Sequence, residues 1–260
     1  MESWIDVNGS ACRYALSGDG PSAIVLVHEL GGSLNSWDGL LPLLPPARVL
    51  RYDMRGCGMS EKLRGSAEID VLCDDIAALA DALGIGAPLC VIGAAVGGAI
   101  AIRFATRHAG RCARLVLLAP ALRVPPERRA AALEMADRLD RDGMRSLRGT
   151  VLPKAFPEAL WTSTADRDRA YARWLGADPH GYAAAYRMLA GVDMRADLPQ
   201  VGCPVLVVAG RLDPFGPPDL IEPAVRDVPD LRFVAVNAGH FMAVQTPAVV
   251  AAAIGAFVSA

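Results

Sequence analysis

Apolar and polar positions alternate along the first part of the chain with two different periods. Trp4 to Val7 alternates with period two. Asn8-Gly9 is a hairpin turn signal, and Ala11 to Ala15 continues as a second strand. Ala23-Ile24-Val25-Leu26-Val27 is apolar without a break, the pattern of a strand buried on both faces in a parallel sheet. Val49 to Asp53 predicts the next strand. Asp70 to Leu83 carries Ile76, Leu79, Ala80 and Leu83 at helical spacing and stops at Gly84 and Gly86. Leu89 to Ile92 is a strand again, Val96 to about His108 a helix, and Leu115 to Leu118 a strand. Strand and helix in alternation predict βαβ units on a parallel sheet.

The rhythm breaks after Pro120. From 121 to 195 no apolar strand is expected. Helical patterns appear instead at Glu127–Asp140, near Trp161, at Arg167–Leu175 and at Gly181–Leu189, punctuated by prolines. This stretch reads as a helical cap over the sheet edge. The strands return with Val205–Val208 and Leu231–Val236, and a helix over Pro247–Val258 closes the pattern. The expected organisation is a core of residues 1–120 and 196–260 with a cap of residues 121–195. No internal repeat is apparent.

Chemistry concentrates where strands end. The strand at Leu89–Ile92 runs into Gly93-Ala94-Ala95-Val96-Gly97-Gly98, a Gly-x-Ala-x-Gly corner before a helix of small residues. A nucleophile elbow has this form, because the tight strand-turn-helix corner leaves room only for small side chains. Its centre, however, is Ala95, and a methyl group cannot attack a carbonyl. Two later strands end in loops holding Asp213 and His240. A carboxylate beside an imidazole fixes the tautomer and leaves the second ring nitrogen free to take a proton. The order elbow, Asp, His is that of an α/β Ser-His-Asp triad. After the strand at Ala23–Val27 comes His28-Glu29-Leu30-Gly31-Gly32. The Leu30 and Val96 N–H groups are the expected oxyanion donors. His28 is expected to shape this loop. Glu29 either faces solvent or lies in the pocket as an acid/base or water-orienting group. Trp37, Trp161, Trp174, Phe215, Phe241 and Met242 are candidate pocket walls. Cys57, in a turn without elbow geometry, is not expected to be catalytic.

Composition narrows the partners. The chain has 260 residues, a net charge of −2 and 53% hydrophobic residues. That is enough for a sizeable core and gives no reason to expect nucleic acid or an anionic membrane surface. The apolar runs fall short of a membrane span, and Met1 to Trp4 does not resemble a signal peptide. Six scattered cysteines without a Cys-x-x-Cys pair predict reduced thiols in a cytoplasmic protein and no zinc site. A small-molecule substrate, no cofactor, no metal, and a monomer or homodimer are the expectations.

Together these residues resemble the α/β-hydrolase superfamily over essentially the whole chain. Asp53 to Ser60 is similar to its Asp-x-Arg-Gly-x-Gly-x-Ser loop, and Gly210-Arg211-Leu212-Asp213 and Gly239-His240 to its acid and histidine turns. Ala177 to Ala183, with its approach to Leu198-Pro199-Gln200-Val201, resembles 3-oxoadipate enol-lactonases. The resemblance implies a mostly parallel twisted sheet with helices on both faces and a helical cap. It also implies a cofactor-free hydrolase of a small ester or enol-lactone. Ala95 departs from it and leaves several readings open. Ala95 replaces an original serine in an ordinary hydrolase. Alternatively it is native, and Asp213–His240 activates water directly or moves a proton on carbon, as in a lyase, decarboxylase or cofactor-free oxygenase. The second departure at Glu29 weighs toward a native Ala95, because a knockout changes one position. A ligand-binding pseudoenzyme is the third reading, against which the Asp213–His240 pair argues.

Overall fold

The computed structural model describes residues 2–63, 65–86 and 88–259. An eight-stranded sheet runs through it in the order β1 (Glu2–Val7), β2 (Ser10–Ser17), β4 (Arg48–Tyr52), β3 (Ala23–Val27), β5 (Leu89–Ala94), β6 (Cys112–Leu118), β7 (Val205–Gly210), β8 (Leu231–Val236). The β1–β2 and β2–β4 pairs are antiparallel, and from β4 onward every neighbour is parallel. The continuous apolar runs of β3, β5, β6 and β7 are buried because helices cover both faces. On one side lie α1 (Ile69–Ala82) and α2 (Val96–Arg107); their buried residues join one core cluster. α3 (Pro126–Asp142), α4 (Leu152–Ala155), α5 (Thr164–Leu175) and α6 (Pro179–Gly191) lie between β6 and β7. α7 (Pro218–Val225) and α8 (Met242–Gln245) follow, and α9 (Pro247–Ser259) packs into a second cluster on the other face.

The element pattern agrees with the sequence expectation, with differences at the ends. β5 continues two residues beyond Ile92 and β6 begins at Cys112. α7 has no counterpart in the apolar pattern. It starts behind Pro217-Pro218 and carries Pro223 inside, so composition argues against a helix there. β8 is the sheet's last strand and is half-exposed, which explains its alternating rather than continuous pattern.

The helices between β6 and β7 contact the core at defined points. A Cβ on Gly181, at the start of α6, would lie 2.0 Å from the Gly56 carbonyl oxygen. One on Gly31 would lie 2.7 Å from the Trp174 ring. Arg123 and Asp193 form an antiparallel bridge where the helical stretch leaves and rejoins the core, and the Met194 N–H donates to the Leu122 carbonyl at 2.8 Å.

A further close approach joins α2 to β3. A Cβ on Gly97 would lie 2.1 Å from the Val27 carbonyl oxygen and 2.7 Å from that of His28, both backbone atoms that cannot swing aside. Gly97→Ala should therefore destabilise the chain by about 3 kcal/mol and lower Tm by roughly 6–12 °C. Gly191→Ala, with open space around its Cβ, should not. Calorimetry of the two variants checks this, and an unchanged Tm in Gly97→Ala would refute the packing argument.

Candidate active site

Parallel strands carry their C-terminal ends on one edge, so the loops after β3, β5, β7 and β8 gather there. Ala95 follows β5 directly. Its backbone sits at φ 48°, ψ −111°, a region that costs a non-glycine residue strain. Its N–H donates to Leu118 at 2.9 Å and its carbonyl accepts from Ala121 at 3.0 Å, so both neighbouring segments hold the corner in place. Gly93 is needed because a Cβ there would lie 2.3 Å from the Gly97 carbonyl oxygen. The elbow thus keeps its strained backbone although its side chain is a methyl group.

Asp213 and His240 come together. The His240 Nδ1–H donates to Asp213 Oδ2 at 2.8 Å, while Asp213 Oδ1 accepts from the Phe215 N–H at 2.8 Å. The Asp213 carboxylate is fully buried and the His240 ring 18% exposed. Hydrogen bonding at Nδ1 leaves Nε2 as the basic nitrogen. The two loops meet because Gly210 has no side chain: a Cβ there would lie 2.4 Å from the Ala238 carbonyl oxygen. Phe215 packs edge-on to the His240 ring, centroids 5.0 Å apart, and is 43% exposed.

The loop after β3 resolves the open reading of Glu29. It is buried, 2% exposed, and its Oε1 accepts from the Ser36 hydroxyl at 2.6 Å. His28 is fully buried and does not line the cavity described below. Its Nε2 accepts from the Met54 N–H at 3.0 Å, so Nδ1 carries the proton and donates to the Glu29 carbonyl at 2.8 Å. Both ring nitrogens of His28 are thus spent on backbone that fixes the loop. The Leu30 and Val96 N–H groups donate to no other described residue, as two oxyanion donors require.

A cavity of about 290 Å³ opens along the loop after β3; its lining includes the chain neighbours of Leu30 and His240 but not Leu30, Ala95, Val96, Asp213 or His240 themselves. Glu29, Gly31, Gly32 and Ser36 line one side, and Phe156, Ala170, Arg173 and Trp174 line the other. Phe241, next to His240, closes it. Trp174 and Phe241 line this cavity. Four other candidate walls do not: Phe215 packs against the His240 ring outside the cavity lining. Trp37 is buried in the core cluster on the α9 face, and Trp161 stacks behind Phe156 with centroids 5.6 Å apart. Met242 belongs to the α9 cluster as well. Ser36, Phe156 and Arg173 were not anticipated; nothing in their local pattern marks them, since only the turn after β3 and the helices between β6 and β7 bring them in.

The Asp53 loop is structural. Asp53 is fully buried and accepts from the Leu34 N–H at 2.6 Å, the Met59 N–H at 2.7 Å and Arg13 at 3.0 Å. Away from the sheet edge, Cys73, Asp74 and His108 place their ligand atoms within 4.8 Å of one another. Arg107 already holds the Asp74 carboxylate at 2.8 and 3.0 Å, and burial pushes the Cys73 thiol up to about 12. That trio suits an ion pair better than a cation.

The comparisons with known proteins agree with this architecture. The chain matches the α/β hydrolase fold family over residues 22–247 and belongs to it. It is 26% identical to 3-oxoadipate enol-lactonase 1 of Acinetobacter baylyi, over 86% of this chain and 84% of that one. The enol-lactonase from Burkholderia xenovorans LB400 superposes with a TM-score of 0.91 at 28% identity, covering 99% of this chain and 100% of that one. A thermophilic esterase from Thermogutta terrifontis gives the same TM-score and identity over 100% and 98%. Several relatives match only in part. An acetyltransferase component of an acetoin cleaving system from Pseudomonas putida is 36% identical, but this chain covers 32% of its length. Family membership and these relatives support hydrolase activity. No helix among the described residues is long and apolar enough to cross a membrane.

Cys57 is buried, and burial together with the nearby Asp53 carboxylate pushes its thiol up to about 12. At pH 8 only about one thiol in ten thousand is then ionised. Iodoacetamide should leave Cys57 unmodified in the folded chain at pH 8 and label it in urea, as peptide mapping will show. Rapid labelling of the folded chain would restore Cys57 as a nucleophile.

Proposed function

We propose that the chain is a cofactor-free hydrolase of a small carboxylic ester, enol-lactone or β-dicarbonyl compound, with Ala95 native and no covalent intermediate. The observation that carries this reading is the assembled Asp213–His240 pair on the same sheet edge as an elbow that keeps its strained backbone without a nucleophile. His240 Nε2 takes a proton from water as the water oxygen bonds to the acyl carbon. The carbonyl electrons move onto an oxygen held by the Leu30 and Val96 N–H groups. Collapse of that centre expels the alkoxide or enolate, which recovers the proton from the imidazolium. Asp213 holds the ring orientation and stabilises its charged form.

Residues 121–195 act as the cap, supported by Trp174 over Gly31 and Gly181 over Gly56. The substrate is a small molecule, and the unpaired thiols fit a reducing, cytoplasmic setting. A nearly empty elbow position suits water, because a methyl group leaves space where a hydroxyl would stand.

Two measurements test this. His240→Ala should lower turnover by about 100-fold or more, and Asp213→Asn should also cripple it. Near-normal turnover without His240 would remove the general-base mechanism. Intact mass during turnover should show only the unmodified chain, and Ala95→Ser should gain little. A gain of orders of magnitude with burst kinetics would mean that the site is built for a serine acyl-enzyme.

A further inference from the structure

The cavity lining contains one carboxylate, Glu29, that the hydrolytic mechanism does not use. Glu29 is 2% exposed and makes no ion pair among the described residues. Its one side-chain hydrogen bond is from the Ser36 hydroxyl to Oε1, which leaves Oε2 without a donor. Two guanidinium groups line the same cavity, and neither bonds Glu29 among the described residues. Arg13 is bound to Glu2 at 2.6 Å and Asp53 at 3.0 Å, and Arg173 donates to the Asn35 carbonyl at 3.1 Å with Asp38 at 3.6 Å. A buried carboxylate with one hydroxyl for company costs stability. Trp174, Phe156 and Phe241 bring three aromatic rings to the same cavity, among small and polar residues such as Gly32 and Asn35. A carboxylate among ring faces favours a cationic or strongly donating group and repels an anion.

We infer that Glu29 is a specificity-determining residue, and that the substrate carries an ammonium or hydroxyl group on its non-reacting portion, seated against Glu29 Oε2. The inference rests on the reading of this cavity as the substrate site. Glu29 immediately precedes Leu30, and Phe241 immediately follows His240. The cavity is therefore flanked by neighbours of the oxyanion donor and of the base. Its volume, about 290 Å³, admits only a small substrate. Esters and lactones ending in a free carboxylate are selected against at the same position.

The test uses binding, so that it stands apart from turnover. The isosteric series n-butylammonium, n-butanol and n-butyrate is titrated against wild type and Glu29→Gln by calorimetry at neutral pH. The wild type should prefer ammonium over butyrate by at least about tenfold, with the alcohol between them. The Gln variant should bring the ratio of ammonium to butyrate within about threefold. An ammonium strongest by far assigns an amine-bearing substrate; an alcohol equal to it assigns a hydroxylated one. Thermal unfolding without ligand adds a readout that a structural role would reverse. Glu29→Gln should raise Tm, because it removes an uncompensated buried charge while keeping a partner for Ser36. Absence of ammonium binding, equal or tighter butyrate binding, a ratio unchanged in Glu29→Gln, or a lower Tm or failure to fold in that variant would overturn the inference. Failure to hydrolyse any ester would count against the hydrolase reading and leave these binding results intact.

Discussion

The start of α2 touches backbone rather than side chain. Gly97 lies so close to the Val27 and His28 carbonyls that no Cβ fits, and Gly93 lies equally close to Gly97. Backbone against backbone leaves no soft degree of freedom, so the elbow and the loop after β3 take up one fixed relation. Everything chemical at the sheet edge depends on it. The Val96 N–H belongs to α2 and the Leu30 N–H to the β3 loop, and this contact together with the β3–β5 pairing holds the two segments side by side. The strained Ala95 backbone is retained for the same reason: hydrogen bonds to Leu118 and from Ala121 grip it on both sides.

A second layer of constraint surrounds the first. His28 spends both ring nitrogens on backbone, joining the β3 loop to the segment after β4. Asp53 gathers Leu34, Met59 and Arg13 around one buried carboxylate. These polar groups are satisfied and rigid. Glu29 differs from them in having a single hydroxyl partner at the wall of a cavity. The contrast within one loop separates residues that shape the site from one that faces whatever enters it. The helices between β6 and β7 supply the opposite wall, and their contacts through Gly31 and Gly56 bring aromatic rings over a polar floor.

Local pattern was sufficient for most of the architecture. Unbroken apolar runs at β3, β5, β6 and β7 specify strands buried on both faces, and period-3.6 runs between them specify the crossover helices. The elbow was readable because its glycines and alanines answer a steric demand made within six residues. Asp213 and His240 were readable from their order and from the turns that carry them. Each of these signals is short-range, so a single sequence contains it.

Other features depend on residues far apart in the chain. Glu29 could be an ordinary surface carboxylate or a pocket group by its neighbours alone, and burial by Ser36 and the helical stretch decided for the pocket. Trp37, Trp161 and Trp174 look alike as candidate walls. Trp37 went to the α9 core, Trp161 behind Phe156 and Trp174 to the cavity, because which ring meets open space depends on how distant helices stack. The 2.8 Å contact between His240 and Asp213 needs β7 and β8 side by side and a glycine at 210. The sequence by itself determined the order of strands and helices and the residue types at their ends. Tertiary structure decided which of those ends share a cavity, since burial is a property of packing between segments and not of any one of them.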